Sequence, residues 1–252
     1  AAYVIKHEMN KPNLTKTADV KLATLLPSGG YKLKPRRKSQ PRLIMRQATT
    51  FLLAAAKGQE VKFNLLLQQV SRRFKTLPMK VTLTTPSGQK TTLPESKCQN
   101  AANQYSFKAA EPGVYAVTGH PKGNKLSIQS SNVPYSIMLP KNNYLALYRP
   151  AGRFYFGIPA GINEFTIEVG GQGSETVNAA VYIGKTKVAA ATSISAPQKF
   201  KISCKESGKP RYGSIVFDKA VEDVMLKIPV PLLPVIAADK PELMIETDNP
   251  TP

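Results

Sequence analysis

The sequence has no tryptophan, two histidines, two cysteines and no long uncharged apolar run. A membrane-spanning helix needs about 18 apolar residues in succession, so the sequence excludes one. Two cysteines are too few for a disulfide framework, and Cys98 and Cys204 do not have the spacing of a zinc ribbon. A single bridge between them and two unpaired thiols are both open, because a pairing distance is not readable from a sequence.

The scarcity of imidazole limits catalytic and metal chemistry. His7 lies in the N-terminal segment and His120 in a Gly-His-Pro turn, and no G-x-S-x-G nucleophile motif occurs. No H-x-x-x-H or C-x-x-C pair is present to hold a metal. Glu164 and Glu168 stand four apart on one predicted strand, which indicates an outward, solvated face rather than a glycosidase pair. We therefore expect a noncatalytic protein with no cofactor and no metal.

Acidic residues are scarce in the first half of the chain. Residues 1–150 hold 24 Lys and Arg against 5 Asp and Glu, whereas residues 151–252 hold 11 of each, so the formal charge of +19 is one-sided. The densest basic stretch contains no acid, and its prolines favour an extended chain. It consists of Lys32, Lys34, Arg36, Arg37, Lys38, Arg42 and Arg46.

This basic stretch predicts a polyanion-binding segment. Guanidinium and ammonium groups pair well with phosphates, sulfates and carboxylates. A solvated basic face without a specific partner is the competing interpretation. Nucleic acid is a weaker candidate, since no zinc-finger spacing, RNP-type aromatic pattern or tryptophan accompanies the charge. Anionic glycans, lipid headgroups and cell-envelope polymers fit equally well.

Short segments dominate the chain, because 21 prolines and 16 glycines are scattered along it. Residues 61–67 and 81–84 alternate apolar and polar side chains, which is the period of half-buried strands. Residues 48–57 compete as a helix on their Ala and Leu content, but the internal repeat described next favours a strand. Residues 170–173, Gly-Gly-Gln-Gly, predict a hairpin turn with positive φ angles rather than a phosphate cradle.

The two halves of the sequence match each other. Residues 51–58 align with residues 154–161, each an apolar segment that ends in glycine. Three glycine pairs recur at offsets of 103, 96 and 100, namely Gly58 with Gly161, Gly88 with Gly184, and Gly113 with Gly213. A duplicated module of about 100 residues explains these offsets. Chance matching of common turn glycines is the competing explanation.

These patterns predict an all-β fold of two tandem antiparallel β-sandwich domains, jelly-roll-like, with an extended basic N-terminal arm and a Pro-rich C-terminal tail. The predicted boundaries are residues 1–46 for the arm, 47–148 for the first sandwich, and 149–252 for the second sandwich with its tail. We expect the apolar residues of the tail to pack on a neighbouring sheet. They are Leu232, Leu233, Val235 and Ile236.

Motifs in both halves resemble modules of exported bacterial proteins. In the first half, Gly58-Gln59-Glu60-Val61, Pro86-Ser87-Gly88 and Gly113-Val114-Tyr115 resemble the bacterial pre-peptidase C-terminal type of domain, a jelly-roll-like sandwich often appended to secreted enzymes. In the second half, Phe154-Tyr155-Phe156 and Pro159-Ala160-Gly161 look like such sandwich modules. The resemblance implies an exported, noncatalytic binding or spacer role, towards polysaccharide or protein.

Together the sequence predicts an exported bacterial protein, periplasmic or on the cell surface, that binds a polyanionic glycan or cell-envelope polymer through its basic N-terminal half. The alternative is a structural subunit of a surface layer, shell or larger protein complex, with the arm and tail lying across neighbouring subunits. The sequence begins at Ala1 rather than at a methionine, which fits either a processed mature end or a shortened chain.

Overall fold

The computed structural model describes residues 20–31, 43–71, 77–97, 101–141 and 143–246. Within these ranges the protein is all-β, and its only helical pieces are two 3₁₀ turns, Leu22–Thr24 and Lys240–Glu242. The strands pair antiparallel within each sheet, as in the pairs β2–β7 and β11–β16 defined below. The predicted all-β class with antiparallel sheets is confirmed.

Nineteen strands are present in the described ranges. Those of the first half are β1 (Leu25–Pro27), β2 (Thr49–Ala55), β3 (Glu60–Gln68), β4 (Met79–Thr84), β5 (Lys90–Ser96), β6 (Asn103–Lys108), β7 (Gly113–Gly119), β8 (Lys125–Ser131) and β9 (Tyr135–Met138). The others are β10 (Leu145–Tyr148), β11 (Gly152–Ile158), β12 (Glu164–Gly171), β13 (Val177–Ile183), β14 (Thr186–Ile194), β15 (Gln198–Ser203), β16 (Arg211–Asp218), β17 (Asp223–Lys227), β18 (Val235–Ile236) and β19 (Met244–Glu246).

The strand order of the first half recurs in the second. The first half has sheets of order β18-β9-β2-β7-β4-β5 and β6-β3-β8, and the second has β11-β16-β13-β14 and β10-β17-β12-β15. The order β2-β7-β4-β5 therefore corresponds to β11-β16-β13-β14, and β6-β3-β8 corresponds to β15-β12-β17. Strands β2 to β8 and strands β11 to β17 follow one topology, as a repeated sequence would fold.

Two of the three matched glycine pairs occupy equivalent turns with equivalent backbone geometry. Gly58 and Gly161 follow β2 and β11 with φ angles of +80° and +76°. Gly88 and Gly184 lie between the corresponding hairpin strands with φ angles of +90° and +59°. These left-handed conformations are accessible to glycine without the steric cost that a Cβ brings. The sequence match thus reflects a shared requirement of the two turns.

The third glycine match is wrong by two residues. Leu53 pairs with Tyr115 in the first half, and Phe156 pairs with Gly213 in the second. Since Leu53 and Phe156 are equivalent at the offset of 103, the structural counterpart of Gly213 is Tyr115, not Gly113. The aromatic residue of the pair lies on β7 in the first half, as Tyr115, and on β11 in the second half, as Phe156.

Strand β2 confirms the strand prediction for residues 48–57, where composition alone favours a helix. Phe51 and Leu53 point into the main core, which is shared by both halves, whereas Leu52 and Ala54 belong to a second buried cluster on the opposite face of the sheet. A strand that is buried on both faces is a continuous apolar run without alternation. This double burial is why the local pattern is ambiguous.

A two-stranded ribbon covers the outer face of that sheet. Strand β1 pairs with β19, and Leu25, Leu243 and Met244 are buried against the second cluster. Each such side chain contributes about 1.5–3 kcal/mol when fully buried. The buried Ser136 hydroxyl donates to the Glu242 carbonyl at 2.9 Å and accepts from the Met244 amide at 3.0 Å. These bonds attach the ribbon to β9.

Two short bridges join the sheets of the two halves. Met45 pairs with Leu126 of β8 and with Leu147 of β10, and it is fully buried. On the other sheet, Ala237 pairs with Tyr155 of β11, immediately after β18 has paired with β9. The main core consequently contains buried apolar residues of both halves, whereas the second cluster stays separate. The tail residues 232, 233, 235 and 236 are all buried.

The glycines at residues 170–173 do not form the expected turn of positive φ. Gly170 and Gly171 end strand β12, and only Gly173 has a positive φ, of +68°. A Cβ on Gly170 would overlap the Ala196–Pro197 backbone, and one on Gly171 would overlap the Glu175 carbonyl. Close backbone approach, rather than a left-handed conformation, requires these two glycines.

Candidate polyanion-binding surface

Six of the seven predicted polyanion-binding residues lie outside the described residues. They are Lys32, Lys34, Arg36, Arg37, Lys38 and Arg42. The seventh, Arg46, follows the buried Met45 in the bridge between β8 and β10. Arg46 lies in a bend directly after this bridge, and most of its side chain is buried. The binding role assigned to this stretch stays a prediction.

Arg46 is bound by a carboxylate of the second half. Its Nη1 atom lies 3.1 Å from Oδ1 and 3.0 Å from Oδ2 of Asp223, and each side chain is 16% exposed. Burial raises the pKa of Asp223, and the neighbouring Arg46 guanidinium opposes this rise. The ion pair joins the connecting segment to β17, so Arg46 serves the junction between the halves.

Three cations surround the ring of Tyr148 beside this ion pair. The ring centroid lies 4.9 Å from Lys125 Nζ, 5.4 Å from Arg149 Cζ and 5.9 Å from Arg46 Cζ. Arg149 also pairs with Glu222 at 3.2 Å. Partly exposed cation–π contacts contribute about 0.5–1 kcal/mol each. We call these residues, with Asp223, the seam cluster; its charges are largely balanced internally.

The remaining cations of the first half are spread over an exposed surface. The described residues 43–141 hold ten Lys and Arg against three Glu, whereas residues 143–246 hold twelve against ten. Most of the first-half lysines are exposed, namely Lys57, Lys62, Lys80, Lys90, Lys97, Lys108, Lys122 and Lys141. Of the three glutamates, Glu60 pairs with Lys62 at 3.0 Å. The charge asymmetry of the sequence is therefore present on the folded surface.

Several of these lysines lie at the same end of the paired strands of the first half. Gly119 pairs with both Thr49 and Val81, Met79 pairs with Ser96, and Gln68 pairs with Lys125. The starts of β2, β4 and β8 and the ends of β3, β5 and β7 therefore share one end. The exposed lysines there are Lys80, Lys97 and Lys122, with the half-buried Lys125 beside them. We call the three exposed lysines the basic end, and Lys125 belongs to the seam cluster.

The basic end is also where the N-terminal stretch enters the sandwich. The described chain resumes at Leu43, and Met45 then pairs with Leu126, the residue after Lys125. Glu95, exposed near the end of β5, is the acid closest in sequence to Lys97. The described residues that follow the basic stretch, from Leu43 to Met45, therefore lie beside the start of β8.

His120, Glu164 and Glu168 lie in different environments. His120 is exposed after β7, and its Nδ1 atom accepts a hydrogen bond from the Lys122 amide at 3.2 Å. His7 lies outside the described residues. Glu164 is exposed, but the prediction of a solvated Glu168 is wrong, since Glu168 is 5% exposed. The Tyr144 hydroxyl donates to Glu168 Oε2 at 2.7 Å.

The half-buried Tyr144 and the buried Glu168 form a polar pair on the second-half sheet. Burial raises the pKa of Tyr144 to about 12, and the hydrogen bond to the Glu168 carboxylate acts in the same direction. In the strand register, Glu168 lies opposite Lys199 of β15 on one side and opposite Lys227 of β17 on the other. This environment holds Glu168 by a hydrogen bond from a neutral phenol, which is a structural arrangement on an inner strand.

Cys204 has a free thiol in the described structure. It donates to the Ile162 carbonyl at 3.8 Å and accepts from Arg211 Nη2 at 3.2 Å, while Cys98 lies outside the described residues. Among the residues that the structure describes, no group of three or more His, Cys, Asp or Glu side chains is arranged to hold a metal ion.

No protein-family model matches this chain, and no curated protein matches its sequence. The resemblance to the pre-peptidase C-terminal type of domain therefore stays a prediction. No helix in the described ranges is long and apolar enough to cross a membrane.

Proposed function

We propose that the chain is a noncatalytic exported protein that binds a polyanionic partner, a glycan or cell-envelope polymer, through its basic first half. One observation carries this proposal. The exposed lysines of the basic end lie where the seven-cation stretch joins the sandwich, and the described first half holds few acids to neutralise them. Long flexible side chains at such a surface exchange counterions for the charges of a polymer.

The proposal includes the architecture of two tandem jelly-roll-like sandwiches of the pre-peptidase C-terminal type, with a basic arm and a Pro-rich tail. The common order of strands β2 to β8 and β11 to β17, together with the equivalent turn glycines, supports it. Bridges through Met45 and Ala237 couple the halves, so that the second half holds the first in a fixed orientation. The binding surface is then a rigid end with a basic extension.

Charge reversal distinguishes a binding surface from net charge alone. The variant Lys80→Glu/Lys97→Glu/Lys122→Glu is expected to leave a sulfated polysaccharide resin at clearly lower salt than the unmodified protein. The matched control is Lys57→Glu/Lys90→Glu/Lys108→Glu, three exposed lysines of the same half at the opposite end of the ladder. We expect the control to shift much less, because its lysines lie away from the entry of the basic stretch.

Adding Arg36→Glu, Arg37→Glu and Lys38→Glu to the basic-end variant tests the stretch itself. We expect a further decrease in the eluting salt concentration. Equal shifts for the basic-end variant and its control would show that total charge, not position, determines retention, and this would contradict the proposed surface. Circular dichroism on each variant verifies that the sheets are intact.

The alternative role, a structural subunit of a layer or complex, has less support from the described contacts. Strands β18 and β19 pair within their own chain rather than extending to a neighbour. Strand β5, at the end of its sheet, carries Lys90 and Pro94, which disfavour strand addition from another subunit. A concentration-dependent increase in mass by light scattering would favour the alternative.

A further inference from the structure

A cleft of about 510 Å³ lies on the second half, away from the basic end. Phe154 and Phe156 are buried on the inner face of β11, so the intervening Tyr155 emerges on the outer face. Tyr212 of β16 pairs with Gly157 on that same face. Both tyrosines line the cleft, and both are partly exposed. The residues that line the cleft are Tyr155, Ile183, Gly184, Pro210, Arg211, Tyr212, Gly213, Ser214 and Lys240.

The C-terminal segment holds a cation against one wall of the cleft. Lys240 begins the 3₁₀ turn Lys240–Glu242, and its Nζ atom lies 4.1 Å from the centroid of the Tyr212 ring. The Ser28 hydroxyl donates to the Lys240 carbonyl at 2.6 Å, and the Gly29 amide donates to the Pro241 carbonyl at 2.8 Å. The backbone that carries Lys240 is thus held by the β1–β19 ribbon, which orders the site before any ligand arrives.

The electrostatics of the cleft favour an anion. Arg211 and Lys240 are the charged side chains among its described lining residues, and no carboxylate lines it. Arg211 Nη2 donates to the Ile162 carbonyl at 2.8 Å, whereas its Nε atom is buried without a hydrogen-bond partner. The two tyrosine rings supply flat apolar surface beside these cations.

We propose that this cleft binds a single sugar unit that carries an anionic group. Its volume is within the usual range of small-ligand sites, about 300–1,000 Å³. The tyrosine rings contact the C–H face of the sugar, and Lys240 binds its carboxylate or sulfate ester. For its ligand class the site rests on the proposed function, since a polyanionic glycan presents such units. The cleft adds recognition of the sugar ring to the charge recognition of the basic end.

Titration of the isotope-labelled full chain with three small probes tests the site. The probes are glucuronic acid, glucose 6-sulfate and glucose, and the readout is the backbone amide shifts of Gly184, Tyr212 and Gly213. We expect millimolar binding of at least one acidic sugar and about tenfold weaker binding of glucose, because a charge-assisted contact contributes at least a factor of ten. The stronger acidic probe identifies carboxylate or sulfate as the recognised group.

Lys240→Met is expected to weaken acidic-sugar binding about tenfold. Lys227→Met is the matched control, because Lys227 also lies over a tyrosine ring, that of Tyr144 at 5.9 Å, but outside the cleft. Equal binding of glucose and the acidic sugars, shifts centred elsewhere, no binding at all, or no effect of Lys240→Met would each overturn the site.

The two proposals fail separately. If charge reversal at the basic end does not change resin retention but sugar binding depends on Lys240, the proposed polyanion surface is wrong and the proposed sugar site stands. If charge reversal lowers retention but sugar binding does not depend on Lys240, the proposed sugar site is wrong and the polyanion surface stands.

Discussion

Gly171→Ala is expected to destabilise the protein by about 3 kcal/mol, the upper range for overpacking a rigid interior. A Cβ at this position would lie 2.6 Å from the Glu175 carbonyl carbon and closer still to its oxygen. Backbone atoms of a neighbouring segment cannot rotate away as the end of a side chain can. The Glu175 side chain also accepts a hydrogen bond from the Asp223 amide at 2.7 Å, so displacement of this segment disturbs the start of β17.

Gly208→Ala is the matched control for this prediction. A Cβ on Gly208 meets nothing within 4 Å, and its φ is not in the left-handed region. We expect its stability to stay within about 0.5 kcal/mol of the unmodified protein. Urea unfolding followed by tyrosine fluorescence measures both variants, since the chain has no tryptophan. Similar midpoints for the two alanine variants would contradict the close approach at Gly171.

Gly213→Ala is expected to cost about 2 kcal/mol. The added Cβ would lie 2.9 Å from Phe156 Cε1 and closer still to Cζ, and that ring is fully buried. The first half solves the same packing problem with Leu53 opposite Tyr115. A smaller partner on β11 should therefore make room for a side chain on β16.

Adding Phe156→Leu to Gly213→Ala is expected to recover part of the lost stability. Phe156→Leu alone leaves a cavity and should itself destabilise the core. In a double-mutant cycle we expect a favourable coupling of about 1–2 kcal/mol, which is typical of residues in direct contact. Strict additivity of the two changes would show that the Gly213 Cβ does not meet Phe156 and would contradict the register equivalence of the two halves.

Local sequence patterns were sufficient to predict the strands that are buried on one face and those that end in a turn with a positive φ angle. Alternation at residues 61–67 marks β3, where Val61, Phe63 and Leu65 are buried. The positive φ of Gly58 and Gly161 explains why these glycines recur in both halves. Such features depend on neighbours that are close in sequence, so the sequence displays them directly.

Contacts between distant segments were not predictable from the same patterns. The ribbon of β1 and β19 joins segments at opposite ends of the described chain, and Met45 bridges two sheets as a single residue. Neither has a periodic signal. Glu168 looks solvated by its spacing, but its burial depends on Tyr144, which lies outside its strand. Gly171 resembles a turn glycine until the path of the Glu175 backbone is known.

The candidate polyanion-binding surface was also only partly predictable from the sequence. The basic stretch is visible because its cations are consecutive, whereas the basic end is assembled from Lys80, Lys97 and Lys122, which come from three different strand ends. The available signal was a lysine beside each predicted strand end, but only the antiparallel ladder shows that these ends coincide. The partner of Arg46 was equally hidden, because Asp223 is 177 residues away in sequence.

The salt dependence of binding to a sulfated oligosaccharide of defined length tests the central claim most directly. If the first half binds polyanions by displacing their counterions, the logarithm of the affinity falls linearly with the logarithm of salt concentration. We expect a loss of at least tenfold between about 50 and 200 mM salt, as for proteins that neutralise several charges of a polyanion. An affinity that stays constant over this range would contradict the account.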